Sequence, residues 1–222
     1  MVVFISATLV GEHVSTNPRG RLRGFVFMSK KVIILIDGGF LRVKCNKANK
    51  TYNPDFIEAF AQKCIVQDEE IFRALYYDCA PYSGTVKLPI SGNQDTFGGS
   101  DRWLEDLACR DLFAVRRGVL KLRGFKPKHT PVNPAGPPTD ADFRPDFEQK
   151  GVDMRIGLDI AAYSANHAIE RIILVSNDTD CVPAMKDGRK SGLQIVVAEL
   201  PNGKVAPELV MHADFKRRIL WP

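Results

Sequence analysis

Short apolar runs alternate with amphipathic stretches along most of this chain. Val32 to Ile36 is a continuous β-branched and apolar run closed by Asp37 and two glycines, the pattern of a central strand buried on both faces. Asn53-Pro54-Asp55 opens a helix with an N-cap, a proline at the first position and an acid in the first turn, and Phe56, Phe60 and Cys64 follow on one face. Ile71 to Tyr77 predicts a second strand, and Asp101 to Cys109 a helix striped by Trp103, Leu104 and Leu107. Phe113 to Leu122 predicts a third strand, interrupted by Arg116, Arg117 and Gly118. Lys126 to Gln149, rich in Pro, Gly and Asp, reads as a long loop, a kind of segment that tends to be functional. Asp153 to Tyr163 is helical, Ile172 to Ser176 is a fourth buried strand, and Cys181 to Lys190 is a helix with Pro183 in its first turn. Leu193 to Ala198 makes a fifth strand and Pro207 to His212 a last short helix. This alternation predicts an α/β fold: a three-layer, doubly wound sandwich around a mainly parallel five-stranded sheet.

Composition narrows the class. The 222 residues suffice for one sizeable core, and 45% apolar with 26% charged residues excludes disordered, collagenous and coiled-coil chains. No apolar run approaches the roughly 20 residues of a membrane span, so a membrane partner is not expected. A net charge of +5 suits a polyanionic partner without requiring one. Five widely spaced cysteines without a CxxC pair argue against a disulfide framework or a cysteine zinc site, and fit a reducing, cytoplasmic location. The turn-rich, basic stretch from Thr16 to Gly24 precedes Met28-Ser29-Lys30-Lys31. We therefore expect residues 1–27 to be an extension, flexible or not native, ahead of a domain spanning 28–222.

Where the acids fall changes the picture most. Sites in parallel α/β sheets lie beyond the carboxyl ends of the strands, at the point where strand order reverses. With the order 3-2-1-4-5, strands one and four are neighbours there, and Asp37, Asp178 and Asp180 converge. Asp153, at the start of the helix that feeds strand four, reaches the same mouth. Carboxylates this crowded raise one another's pKa unless a cation compensates them, and oxygen-only ligands favour Mg²⁺ or Mn²⁺. Such an ion activates a water against phosphorus. Asp159, six residues after Asp153, faces another way around the helix and is read as an ion-pair residue.

Ile36-Asp37-Gly38-Gly39, Lys150-Gly151-Val152-Asp153, Leu158-Asp159, Ser176-Asn177-Asp178-Thr179-Asp180 with Pro183, Gly192, and Leu209 with Asp214 resemble the NYN domain family, its LabA-like branch in particular. Tyr76-Tyr77-Asp78-Cys79-Ala80-Pro81 also resembles that family's second strand and following turn. The resemblance covers about residues 31 to 215. It implies a PIN-like fold and a metal-dependent ribonuclease with Asp37, Asp153, Asp178 and Asp180 in the acidic positions, both catalytic and metal-holding. One departure bears on activity: the family has Asn, a substrate or water contact, two residues after the first Asp, and this chain has Gly39.

Arg116, Arg117, Lys121, Arg123, Lys126 and Lys128, interleaved with Phe125 and His129, form a candidate track for single-stranded or structured RNA, because cations neutralise phosphates and rings stack bases. Lys150, Ser176 and Thr179 are further candidate phosphate or water contacts. The four histidines lack metal spacing, and no GxSxG, GxxxxGK[ST] or GxGxxG is present, which excludes zinc hydrolase, serine hydrolase, P-loop and Rossmann readings. The expected activity is RNA phosphodiester hydrolysis by a Mg²⁺- or Mn²⁺-activated water. A non-catalytic RNA-binding module and a flap-type DNA nuclease stay open as alternatives, as does a homo-oligomer.

Overall fold

Val32, Ile33, Ile34, Leu35 and Ile36 are completely buried in the computed structural model, which describes residues 15–16, 22–23, 29–132, 136–201 and 203–222. They form the middle of β1 (Lys30–Asp37), itself the middle strand of a seven-stranded sheet. The remaining strands are β2 (Glu69–Cys79), β3 (Gly84–Lys87), β4 (Gln94–Phe97), β5 (Phe113–Pro127), β6 (Phe143–Lys150), β7 (Arg171–Val175), β8 (Gln194–Glu199) and β9 (Phe215–Arg218). The sheet runs β9-β8-β7-β1-β2-β5-β6, parallel throughout except for the β5–β6 hairpin, while β3 and β4 pair only with each other. The five expected strands are β1, β2, β5, β7 and β8, in the expected order 3-2-1-4-5.

Alternation along β1 sends side chains to two cores. Val32, Ile34 and Ile36 pack with α1 (Gly38–Lys47), α2 (Pro54–Cys64) and α3 (Arg102–Ala108) through Leu41, Phe60 and Leu104. Ile33 and Leu35 pack on the other face with α4 (Val152–Asn166), α5 (Val182–Lys190) and α6 (Pro207–Met211) through Ile156, Met185 and Leu209. The result is the expected three-layer sandwich. None of the helices among the described residues is long and apolar enough to cross a membrane. The expected extension over residues 1–27 lies outside the described residues, apart from a pairing of Ser15–Thr16 with Leu22–Arg23.

Several elements differ from the sequence reading. A helix, α1, follows Asp37 directly; its two leading glycines are poor helix formers, and only Leu41 and Cys45 mark its buried side beyond them. Arg116-Arg117-Gly118 does not interrupt the third strand, because those residues pair with Tyr77, Asp78 and Cys79 of β2. Gly118 is needed there: a Cβ would lie 2.8 Å from both the Cys79 Sγ and the Lys150 carbonyl oxygen. The expected loop from Lys126 to Gln149 holds β6, whose FRPDFEQK sequence has no apolar alternation because most of the strand is only partly covered. The polar strand β9 was hidden for the same reason.

At the end of the sheet opposite Asp37, one carboxylate ties three strands together. Glu69 opens β2 with a fully buried side chain. Arg217 of β9 donates to it from Nη1 at 2.7 Å and Nη2 at 2.8 Å, and Arg171, which opens β7, completes the cluster. Burial pushes the Glu69 carboxyl up, but the two guanidinium groups outweigh it and hold the pKa below the usual range. Removing one member strands the others uncompensated in the interior. Glu69→Ala is therefore expected to cost about 3–5 kcal/mol in urea unfolding; a loss well under 1 kcal/mol would show that the cluster does not anchor these strands.

Candidate active site

β1 and β7 lie side by side with Ile36 opposite Val175, so the next residues of the two strands, Asp37 and Ser176, emerge level with each other. The buried Ser176 hydroxyl donates to Asp37 Oδ2 at 3.3 Å and accepts the Asp178 N–H at 3.1 Å. Asp37 Oδ1 accepts the Phe40 N–H at 3.0 Å and caps α1. Asp178 Oδ1 in turn accepts the Asp180 N–H at 2.9 Å, and Asn177 Oδ1 takes the Ala206 N–H at 2.8 Å, which pins the loop to the segment before α6. Asp153 enters from the first turn of α4.

Carboxylate oxygens of Asp153, Asp178 and Asp180 lie within 4.8 Å of one another. Asp37 stands beside this trio rather than within it, close enough to interact electrically. Burial, then the charges of Asp178, Asp37 and Asp180, push the Asp153 carboxyl up. Asp37 is likewise raised, by burial first and then by Asp78 and Asp178, against the opposing hydrogen bonds from Phe40 and Ser176. Cys181, buried below the acids, is pushed up to about 12 and stays a thiol. An oxygen-only cluster of this kind fits a hard divalent cation, because positive charge removes the mutual repulsion.

The polar support around Asp37 extends further than the sequence reading reached. Asp78, next to last in β2, has a fully buried side chain. It accepts Arg42 Nη1 at 2.6 Å, Nη2 at 3.3 Å, the Tyr76 hydroxyl at 3.0 Å, the Cys79 N–H at 2.8 Å and Gln149 Nε2 at 3.2 Å. Its oxygens are spent and Arg42 balances its charge, so it supports the site without being free for an ion. Its place near a strand end, like Asp37 and Asp178, was the signal that could have found it. Gln149 was also missed. Its carboxamide lies over Gly39, where a Cβ would sit 2.9 Å from Gln149 Oε1 and 3.4 Å from Asp37 Oδ1. A carboxamide thus sits close to Asp37 although residue 39 has no side chain.

The cationic candidates are placed less simply. Arg116 reaches Asp159 at 3.1 Å, which gives Asp159 the expected ion-pair role alongside the Tyr77 hydroxyl. Arg117 pairs with Asp101 at 2.7 Å, Arg123 and Lys150 with Glu148, and Lys126 with Asp146. Among the described residues, Lys121 and Lys128 have no acidic partner. Thr179 is exposed in the turn after Asp178, whereas Ser176 is buried and committed to Asp37 and the Asp178 N–H, so it positions these acids.

Residues 99–217 match the NYN domain. The chain belongs to the NYN family. The match contains Asp153, Asp178 and Asp180 and begins after Asp37. NYN domains are PIN-like and the family is nuclease-like, typically using divalent metals. Among solved structures, a protein of unknown function from Vibrio parahaemolyticus RIMD 2210633 shares the fold, with a TM-score of 0.51 and 17% identity over 86% of this chain and 94% of that one. No curated protein matches.

The raised carboxyls of this NYN site have a consequence for stability. A carboxyl whose folded pKa exceeds its unfolded value penalises the fold once ionised, and the penalty is relieved as pH falls through the folded pKa. In EDTA, Asp37→Asn should therefore raise the Tm by a few degrees at pH 7, with Asn retaining the cap on α1. The advantage should shrink as pH drops into the carboxyl range. A lower Tm at pH 7 would show that capping and the Ser176 contact outweigh repulsion.

Proposed function

We infer that this NYN protein is a metal-dependent ribonuclease that hydrolyses RNA phosphodiester bonds. The observation that carries the reading is the convergence of Asp153, Asp178 and Asp180, with Asp37 beside them, at the carboxyl ends of two neighbouring parallel strands. The trio supplies the oxygen ligands for Mg²⁺ or Mn²⁺, and Asp37 completes the negative wall. When bound, the ion lowers the pKa of a water, directs it at phosphorus and steadies the leaving oxyanion. Asp37 has a raised pKa and a fixed orientation, which suits it to take the proton of the attacking water. Ser176 keeps Asp37 and the 177–180 loop in register, and Asp78 with Arg42 closes the polar floor behind them.

Substrate phosphates meet Lys121 and Lys128 directly, and can displace the carboxylates now paired with Arg123, Lys126 and Lys150, since exposed ion pairs are weak and exchange readily. Arg116 and Arg117 serve chiefly to fasten α4 and α3 to β5. The five cysteines are all free, which suits action in the reducing cytoplasm.

Labelled RNA and DNA incubated with a Mg²⁺ or Mn²⁺ titration test the reading. RNA should be cut, with EDTA abolishing the activity and Asp178→Asn lowering it by more than about 100-fold, beyond the ~10–100-fold that loss of a supporting outer residue costs. Ser176→Ala, which removes such support, should fall within that ~10–100-fold range in metal affinity or rate. RNA binding without cleavage at any metal concentration would make this an RNA-binding module, and equal rates on DNA would make it a flap-type nuclease.

A further inference from the structure

Next to Asp37, an open surface cleft of about 460 Å³ lies between the first turns of α1 and the end of β6, lined by Asp37, Gly39, Phe40, Arg42, Val43 and Gln149. Its size falls within the roughly 300–1,000 Å³ of small-ligand sites, which combine apolar walls with a few polar groups of fixed direction. Phe40 and Val43 are the apolar part, and Val43 is 52% exposed with nothing among the described residues covering it. Gln149 is the oriented polar group. Asp78 accepts only donors, so the Gln149 nitrogen must face it, and the observed contact is 3.2 Å. Asp78 is itself immobilised by Arg42, Tyr76 and the Cys79 N–H. That contact turns Oε1 of the otherwise exposed Gln149 towards Gly39, leaving this acceptor and one N–H available to a ligand. Glycine at position 39 is what makes room for it, because a Cβ would meet Oε1 at 2.9 Å.

We propose that this cleft holds one nucleobase of the RNA beside the bond to be cut, and that Gln149 discriminates between bases by hydrogen-bonding its edge. The proposal rests on the ribonuclease reading for its substrate class. Single-stranded RNA offers unstacked bases that are recognised by apolar contact and by hydrogen bonds to their edges, and a side-chain carboxamide matches the paired donor and acceptor of such an edge. The adjacency of Asp37 places a base held here next to the acids. Arg42 remains anchored to Asp78 and contributes a cationic rim for the attached phosphate.

Binding of the four nucleoside 5′-monophosphates and of ribose 5-phosphate to the full chain, measured by calorimetry or NMR in EDTA, tests this without any cleavage step. At least one nucleotide should bind about tenfold tighter than ribose 5-phosphate, and the four should differ among themselves. Gln149→Ala should erase the differences between bases. Gly39→Ala, which displaces the amide while improving a helix position, should erase them too without lowering the Tm. Val43→Lys, on an exposed position, should weaken all four nucleotides but not ribose 5-phosphate. Equal affinity for ribose 5-phosphate, no measurable nucleotide binding, or a base preference that survives Gln149→Ala would each overturn the proposal. Base-selective binding by a protein that never cuts RNA would instead overturn only the ribonuclease reading, and cleavage without base-selective binding would overturn only the subsite.

Discussion

The pairing of β1 with β7 is the constraint on which the rest of the molecule depends. It sets Asp37 level with Ser176 and delivers the 177–180 loop to the same edge of the sheet. Placing four acids in one neighbourhood is unfavourable by itself, as the upward shifts of Asp37 and Asp153 register. What holds them together is the strand pair beneath. Its apolar side chains, from Val32 to Ile36 and from Ile172 to Val175, are completely buried, each contributing roughly 1.5–3 kcal/mol of transfer free energy. The carboxylates sit at the ends of these buried strands, so the core absorbs their repulsion.

A second layer of polar contacts turns this crowding into fixed geometry. Ser176 links two of the acidic segments through one hydroxyl, and Asp78 gathers donors from α1, β2 and β6. The Tyr52 hydroxyl lies 2.6 Å from that of Tyr76 and extends the network towards α2. Because the Asp78 oxygens are saturated and Arg42 meets their charge, this carboxylate is buried without stranding a charge. The rigidity of the network orients Asp37 on one side and Gln149 on the other, so a single scaffold serves both the acidic cluster and the adjoining cleft.

The hairpin of β5 and β6 shows why a basic run is not yet a binding surface. Its cations face acids contributed by the same hairpin or by α3 and α4, and the run is largely neutralised in the free protein. Exposed pairs of this kind exchange partners at little cost, whereas Arg116, bound to the more deeply placed Asp159, is held in place. The positive charge of this surface is therefore released only where the paired acids are displaced.

The α/β class, the order of the five main strands and the family were legible in the sequence, because a strand buried on both faces must be an unbroken apolar run, and so was the approach of Asp153, Asp178 and Asp180 to one another. The KGVD and SNDTD strings carried the family. What escaped was whatever depends on partners distant along the chain. The α1 helix is weak by its own propensities and exists because Asp37 caps it and the core receives Leu41 and Cys45. The half-exposed β6 has no periodic signature and is a strand only because β5 pairs with it. The close approach of Gln149 to Gly39 joins residues more than a hundred positions apart. Sequence determined which segments must be buried and which acids end them; tertiary structure alone decided which charges meet, since that follows from strand adjacency and side-chain direction rather than from local pattern.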